Sequence, residues 1–353
     1  MFNALLFIDS AIFFAIMAII KQKKISYKVG DKLRRFLHKY GKEIAIPLQY
    51  HDLCRFIGAT TLYDRQGNDT LWVSVYYSES DQEYIFNSLR QIYAHLKIAG
   101  NLSVINHLYI DRIDLCTYGN TKPFRVRIVN KVNDNFDYFY VKIADASRIY
   151  GLELEDILSP NRVRYLLYKD TLIEEHILGI PADQFIRTHL ADVNKIRLAK
   201  EFVKFNERCF VRLLGDMHSS NFVVDTTPDF EEMHYRLRAI DFDQQSYEGR
   251  KSIYLPQYFK QNNPIIEIGY EVLTPESVRQ YQLEERSLMA NRLRTSRYVL
   301  KDVMEVMLQD TIAPQENTDQ LKEELARHYK RDEFLKCKNM GEVLKVSLKQ
   351  LFR

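Results

Sequence analysis

Two periodicities divide this chain and limit what it can fold into. From residue 70 to 177 the apolar residues fall in short β-branched and aromatic runs, at 70–77, 107–116, 124–129, 136–143, 163–168 and 172–177. Such runs read as strands. Beyond residue 192 the apolar residues recur at helical spacing, interrupted by one pair of runs, 222–225 and 235–241, that reads as a hairpin. The three runs between 107 and 143 are joined by turn-rich pieces and predict an antiparallel meander. Two helices fall among the strands. One follows Ser80 and Asp81 and carries Ile85, Leu89, Ile92 and Leu96 along one face; the other covers 146–158 and stops at Ser159-Pro160-Asn161. The pattern predicts an α+β chain with a β-rich lobe over 44–178 and a larger helical lobe over 179–353, preceded by a distinct segment, 1–43.

With 46% apolar and 27% charged residues, a disordered chain, a coiled-coil rod and a multi-span membrane protein are excluded. Fifty Lys and Arg against 47 Asp and Glu give no basis for nucleic-acid binding. The four cysteines, Cys54, Cys116, Cys209 and Cys337, have no paired spacing and read as reduced thiols of a cytoplasmic protein. Residues 4–20 are apolar except for Asp9 and Ser10, and nine Lys or Arg with one acid follow between Lys21 and Lys42. This predicts either an inner-membrane anchor that keeps the folded part in the cytoplasm, or an apolar helix packed on the folded domain.

Chemistry concentrates in two stretches, Leu-Leu-Gly-Asp-Met-His-Ser-Ser-Asn-Phe-Val-Val-Asp over 213–225 and Arg-Ala-Ile-Asp-Phe-Asp-Gln over 238–244. Asp216 and Asn221 precede the first strand of the hairpin, and Asp241 and Asp243 follow the second. A hairpin brings its two ends together, so these groups converge. Asn221 and Asp241 are hard oxygen ligands suited to Mg²⁺, while Asp216 is placed to accept a proton from a hydroxyl. Phosphoryl transfer requires that division of labour.

Gly215-Asp216-Met217-His218-Ser219-Ser220-Asn221, followed by Ile240-Asp241-Phe242-Asp243, resembles the catalytic loop and metal motif of the protein-kinase-like superfamily, in particular its aminoglycoside and sugar phosphotransferase branch. The resemblance implies a two-lobed fold and an ATP- and Mg²⁺-dependent transfer of the γ-phosphoryl group to a hydroxyl. Asp216 would be the base, and Asn221 and Asp241 the metal ligands. It further implies that Lys142, next to last in the run Tyr140-Val141-Lys142-Ile143, meets the phosphates. Glu153 or Glu155 of the next helix would pair with that lysine, with Glu153 preferred, and the backbone around Glu175 and Ile177 would hold adenine. His218 would orient the loop by hydrogen bonding, Asp243 would assist the metal or lie on the surface, and His176 would be structural. The chain departs from the family in three ways. Only Gly119 occurs between His107 and Lys142, Leu214 stands where the family often has histidine, and 25 residues separate Asp216 from Asp241, which predicts a hairpin with a long tip.

The expected acceptor is a hydroxyl on a small molecule, a sugar or a glycolipid, with a protein hydroxyl as an alternative. The missing glycine-rich loop favours a pseudokinase or nucleotide-binding scaffold instead. A metal-dependent phosphoesterase ranks last, because Gly-Asp-Met-His has no Asp-x-His upstream and no Gly-Asn-His downstream.

Overall fold

A computed structural model describes residues 24–64, 66–98, 102–117, 121–229 and 232–352. The chain is α+β and separates into two compact units. One comprises residues 28–145 and 163–176; the other comprises 146–162, 177–352 and the short stretch 24–27. The helix at 146–158 therefore groups with the helical part rather than with the strands that flank it in sequence.

The first unit opens with helix α1 (Asp31–Lys39), whose Leu33, Phe36 and Leu37 are buried and whose end is turned by Gly41 at φ +67°. A left-handed position just past a helix is one that glycine occupies without strain. The short helix α2 (Tyr50–Leu53) then leads to β1 (Gly58–Tyr63), β2 (Asp69–Tyr76) and helix α3 (Glu79–Ile98). The meander follows as β3 (Leu108–Cys116), β4 (Phe124–Asn130) and β5 (Phe136–Ile143), and the hairpin β6 (Tyr165–Tyr168) and β7 (Thr171–Glu175) completes the unit. All pair antiparallel in the order β1-β2-β3-β4-β5-β7-β6. The predicted meander is thus the centre of a larger sheet, with β7 inserted beside β5. Strand β1 was not anticipated, because its Gly-Ala-Thr-Thr-Leu-Tyr lacks an apolar alternation. At the other edge Ile44 donates to the Leu167 carbonyl and Leu167 to that of Lys42, which covers the exposed strand β6.

The stripe Ile85, Leu89, Ile92 and Leu96 is buried as its spacing predicts. It joins Ile113, Val126, Ile128, Phe139, Val141 and Ile173 in one core. Successive residues of a strand point to opposite faces, so the second face of the sheet has a different character. The register aligns Ser74, Asp114, Arg125, Tyr140 and Glu174 in a row across β2, β3, β4, β5 and β7. Lys142 lies two residues beyond Tyr140 on that same polar face.

The second unit contains helix α4 (Ala146–Leu158), the short strand β8 (Ile180–Pro181), helix α5 (Ala182–Thr188) and helix α6 (Lys195–Arg212). The hairpin β9 (Phe222–Asp229) and β10 (Glu232–Ala239) joins β8 in a three-stranded sheet. Helices α7 (Asn263–Val272), α8 (Pro275–Thr295), α9 (Arg297–Met307), α10 (Gln315–Tyr329) and α11 (Met340–Lys349) complete it. Helix α6 is buried along much of its length. Asn194 caps its start by accepting the Arg197 N–H at 3.1 Å. Its end is closed by Leu213 in the left-handed conformation, and Gln245 Nε2 donates to the Arg212 and Leu213 carbonyls. These contacts satisfy helix-end carbonyls that would otherwise be buried without partners. The 25-residue interval from Asp216 to Asp241 is taken up by eight paired residues on each strand, not by a long tip.

No described helix is long and apolar enough to cross a membrane. The apolar residues 4–20 lie outside the described residues. All four cysteines are free.

Helix α4 contains a glycine whose hydrogen is the only group that fits. A Cβ on Gly151 would lie 2.8 Å from Phe242 Cβ, 3.1 Å from its carbonyl oxygen and 3.2 Å from Gln245 Cβ. Replacing glycine by alanine in a helix ordinarily gains about 1 kcal/mol. Here Gly151→Ala is expected to lower stability by about 1–3 kcal/mol through overpacking, as read by urea denaturation.

Candidate functional site

The loop from Leu214 to Asn221 is fixed mainly by its own backbone. Leu214 bridges to Gln245, the Gly215 N–H donates to the Gln244 carbonyl at 3.1 Å, and the Asp216 N–H donates to that of Ile253 at 3.0 Å. Asp216 adopts φ 63°, which is uncommon for a residue other than glycine and recurs where a side chain must be aimed. The His218 N–H donates to the Asp216 carbonyl and the Asn221 N–H to that of His218, which tightens the loop into the start of β9.

The register of β9 and β10 pairs Phe222 with Ala239, and the Ile240 N–H donates to the Asn221 carbonyl at 3.0 Å. Asp241 therefore follows directly on the residue held by Asn221. The Asn221 amide nitrogen donates to the Asp216 carbonyl at 2.8 Å and reaches Asp216 Oδ2 at 3.4 Å. The hairpin thus gathers Asp216, Asn221 and Asp241 at one end of the β-ribbon, as the two sequence stretches imply.

Arg148 of α4 joins this site from a distant part of the chain. It is 1% exposed, and its Nη1 donates to Asp241 Oδ1 at 2.8 Å and to Asp243 Oδ1 at 2.9 Å. The Asp243 N–H also donates to Asp241 Oδ1 at 3.0 Å, and Ser147 Oγ donates to the Asp243 carbonyl at 3.1 Å. One buried guanidinium therefore balances two carboxylates and fixes their rotamers. Nothing local in the sequence signals it, because an arginine early in an amphipathic helix normally faces solvent.

Burial, then the charges of Asp241, Glu248 and Asp243, push the Asp216 carboxyl up to about 7. Burial lowers the proton affinity of His218 despite the nearby charges of Asp241 and Asp183. Its Nδ1 accepts the Ser220 N–H at 3.3 Å, and its Nε2 lies 4.0 Å from Asp216 Oδ1. A neutral imidazole holding the loop is the arrangement expected of His218.

The donor set fits a magnesium ion. The bonds of Asn221 Nδ2 and Asp241 Oδ1 leave Asn221 Oδ1 and Asp241 Oδ2 as the oxygens that could hold a cation. Two hard oxygens suit an ion that keeps several waters and takes the rest of its shell from phosphate. Among the described residues no cluster of three or more His, Cys, Asp or Glu forms a closed metal cage.

The other candidate residues are placed as follows. Lys142 is buried in the sheet unit, and its Nζ donates to Glu174 Oε2 at 2.8 Å. Glu174 lies diagonally across from it, because Lys142 pairs with Leu172. A cross-strand partner of this kind depends on a register that the sequence does not state. Glu153 is buried on α4, and Glu155 is ion-paired with Arg212. The Glu175 carboxylate accepts from Lys97 Nζ at 2.9 Å and from the Arg164 N–H at 2.6 Å, while its own N–H donates to the Arg164 carbonyl. Ile177 is buried and begins the segment that belongs to the helical unit. His176 packs its ring against Tyr138 and Tyr140, with Nδ1 3.2 Å from the Tyr140 hydroxyl.

No protein-family model and no curated protein matches the chain. Among solved structures, the autoinhibited serine kinase domain of the giant muscle protein titin is similar with probability 0.98, at 11% sequence identity. The match covers 69% of this chain and 92% of that one, with a TM-score of 0.28.

The clamp itself is testable by thermal or urea denaturation. Arg148→Met leaves Asp241 and Asp243 facing each other without a counter-charge and is expected to cost about 3–5 kcal/mol. Adding Asp243→Asn should recover part of that loss.

Proposed function

We propose that this protein is a phosphotransferase of protein-kinase-like design that moves the γ-phosphoryl group of ATP to a hydroxyl. The observation that carries the reading is the convergence of Asp216, Asn221 and Asp241 at the end of the β9–β10 ribbon, with Asp216 aimed by a left-handed backbone. The order of parts agrees. A lysine stands next to last in the third strand of a meander, a helix follows, then a hairpin, then the loop and the second acidic motif.

In this reading Asp216 accepts the proton of the acceptor hydroxyl as the acceptor oxygen bonds to phosphorus and the bridging bond to ADP breaks. Asn221 and Asp241 would hold Mg²⁺, which would neutralise phosphate charge when bound. Arg148 and Asp243 keep Asp241 in its rotamer, so that the ligand oxygen is in place beforehand. Lys142, oriented by Glu174, meets the phosphates. The acceptor belongs to a small molecule, a sugar or a glycolipid. The basic stretch over 21–42, which includes α1, supports an acceptor at a membrane surface, to which the N-terminal segment would hold the chain.

A second reading, a nucleotide-binding scaffold, is favoured by one observation: Asp241 and Asp243 are already neutralised by Arg148. The two readings separate in a transfer screen with labelled ATP against sugars, lipids and proteins. The phosphotransferase reading predicts label in one class. It also predicts a loss of about 10²–10⁴-fold in Asp216→Asn, with ATP- and Mg²⁺-dependent thermal stabilisation retained. Unchanged transfer in that variant contradicts the assignment of the base; stabilisation without any transfer supports the scaffold.

The pH dependence has a defined sign. A base must be ionised, and the Asp216 carboxyl is pushed up to about 7 by burial and neighbouring acids. The kcat/KM of transfer should therefore rise with pH through that value. Glu248→Gln removes one repelling charge and should move the rising limb to lower pH.

A further inference from the structure

The polar face of the seven-stranded sheet contains a built cluster that the catalytic loop does not use. Asp114 is fully buried, and its Oδ2 accepts from Arg112 Nε at 3.1 Å and from Arg125 Nη2 at 2.8 Å, while Ser74 Oγ donates to Oδ1 at 2.7 Å. Two guanidiniums on one carboxylate leave a positive charge uncancelled. Arg125 is held between two rings, 4.3 Å from the Trp72 centroid and 5.3 Å from that of Tyr138. Among the described residues its Nη1 has no hydrogen bond, and the side chain remains 20% exposed. Arg125 pairs across the strands with Tyr140, and Lys142, two residues further along β5, has its Nζ 5.5 Å from the Tyr140 ring centroid. Both cations thus lie on one face of one sheet, close to Tyr140.

We propose that this face is an anion subsite that takes the polyphosphate chain of a nucleotide. Arg125 supplies by its side chain the donors that backbone amides of a glycine-rich loop would supply. Only the choice of a nucleotide as the ligand rests on the phosphotransferase reading; the affinity for polyphosphate follows from the cluster. Three features support it. The stretch from His107 to Lys142 has a single glycine and cannot form such a loop. A guanidinium presents planar, paired donors to phosphate oxygens. Packing against Trp72 and Tyr138, together with the bonds to Asp114, fixes Arg125 before any ligand arrives, which lowers the ordering cost of binding.

The molecule carries its own reporter, because Trp72 is the only tryptophan in the chain. Its fluorescence in the full-length protein is titrated with tripolyphosphate, ATP and AMP in the presence of Mg²⁺. Tripolyphosphate and ATP should change the emission, and AMP should do so only at far higher concentration. Arg125→Gln should weaken ATP and tripolyphosphate by about tenfold or more and leave AMP unchanged. Equal responses to AMP and ATP, or unaltered ATP affinity in the variant, overturn the proposal. A wild-type Trp72 that is silent toward tripolyphosphate overturns it as well, even where the variant fails to fold. Phosphate transfer by a protein whose Trp72 is silent contradicts this subsite and leaves the phosphotransferase standing. A responsive Trp72 without transfer to any acceptor has the reverse meaning.

Discussion

Four acids, Asp216, Asp241, Asp243 and Glu248, gather near the end of one β-ribbon, and the guanidinium of Arg148 enters from α4 to balance two of them. Like charges brought out of water repel strongly, and an unpaired buried carboxylate is costly. Arg148 meets both constraints at once, since Asp241 and Asp243 share its Nη1. Burial first, and the charges of Asp241, Glu248 and Asp243 after it, raise the proton affinity of Asp216. The clamp has a structural footing: Phe242, between the two clamped acids, packs against Gly151 one turn further along the same helix.

The sheet unit separates packing from chemistry by strand alternation. One face meets the stripe of α3 and is dry. The other is a mosaic in which each cation has an acidic partner, Lys142 with Glu174 and Arg125 with Asp114. Buried ion pairs of this kind contribute modestly to stability, because desolvation offsets attraction. Their effect is orientation, which is what a phosphate-binding surface requires.

Much of this was legible in the sequence. The α3 stripe follows from residue spacing, the β3–β4–β5 meander from its turn residues, and the joining of Asp216, Asn221 and Asp241 from the property that a hairpin returns to its origin. These are short-range consequences of the chain. What escaped was long-range. Glu174 meets Lys142 only because β7 inserts beside β5. Arg148 meets Asp241 across an interval of 93 residues in the chain. Strand β1 carries no apolar alternation because neither of its faces is deeply buried. Register and helix rotation are properties of the assembled core, and no local pattern encodes them.

The central claim is that Asn221 and Asp241 act on one cation. A double-mutant cycle on Mn²⁺ binding, followed by electron paramagnetic resonance with a non-hydrolysable ATP analogue present, addresses it directly. Asn221→Ala and Asp241→Ala should each weaken binding, and the double variant should lose little beyond the worse single one. Fully additive losses, or Mn²⁺ affinity indifferent to both substitutions, would contradict a shared metal and with it the proposed chemistry.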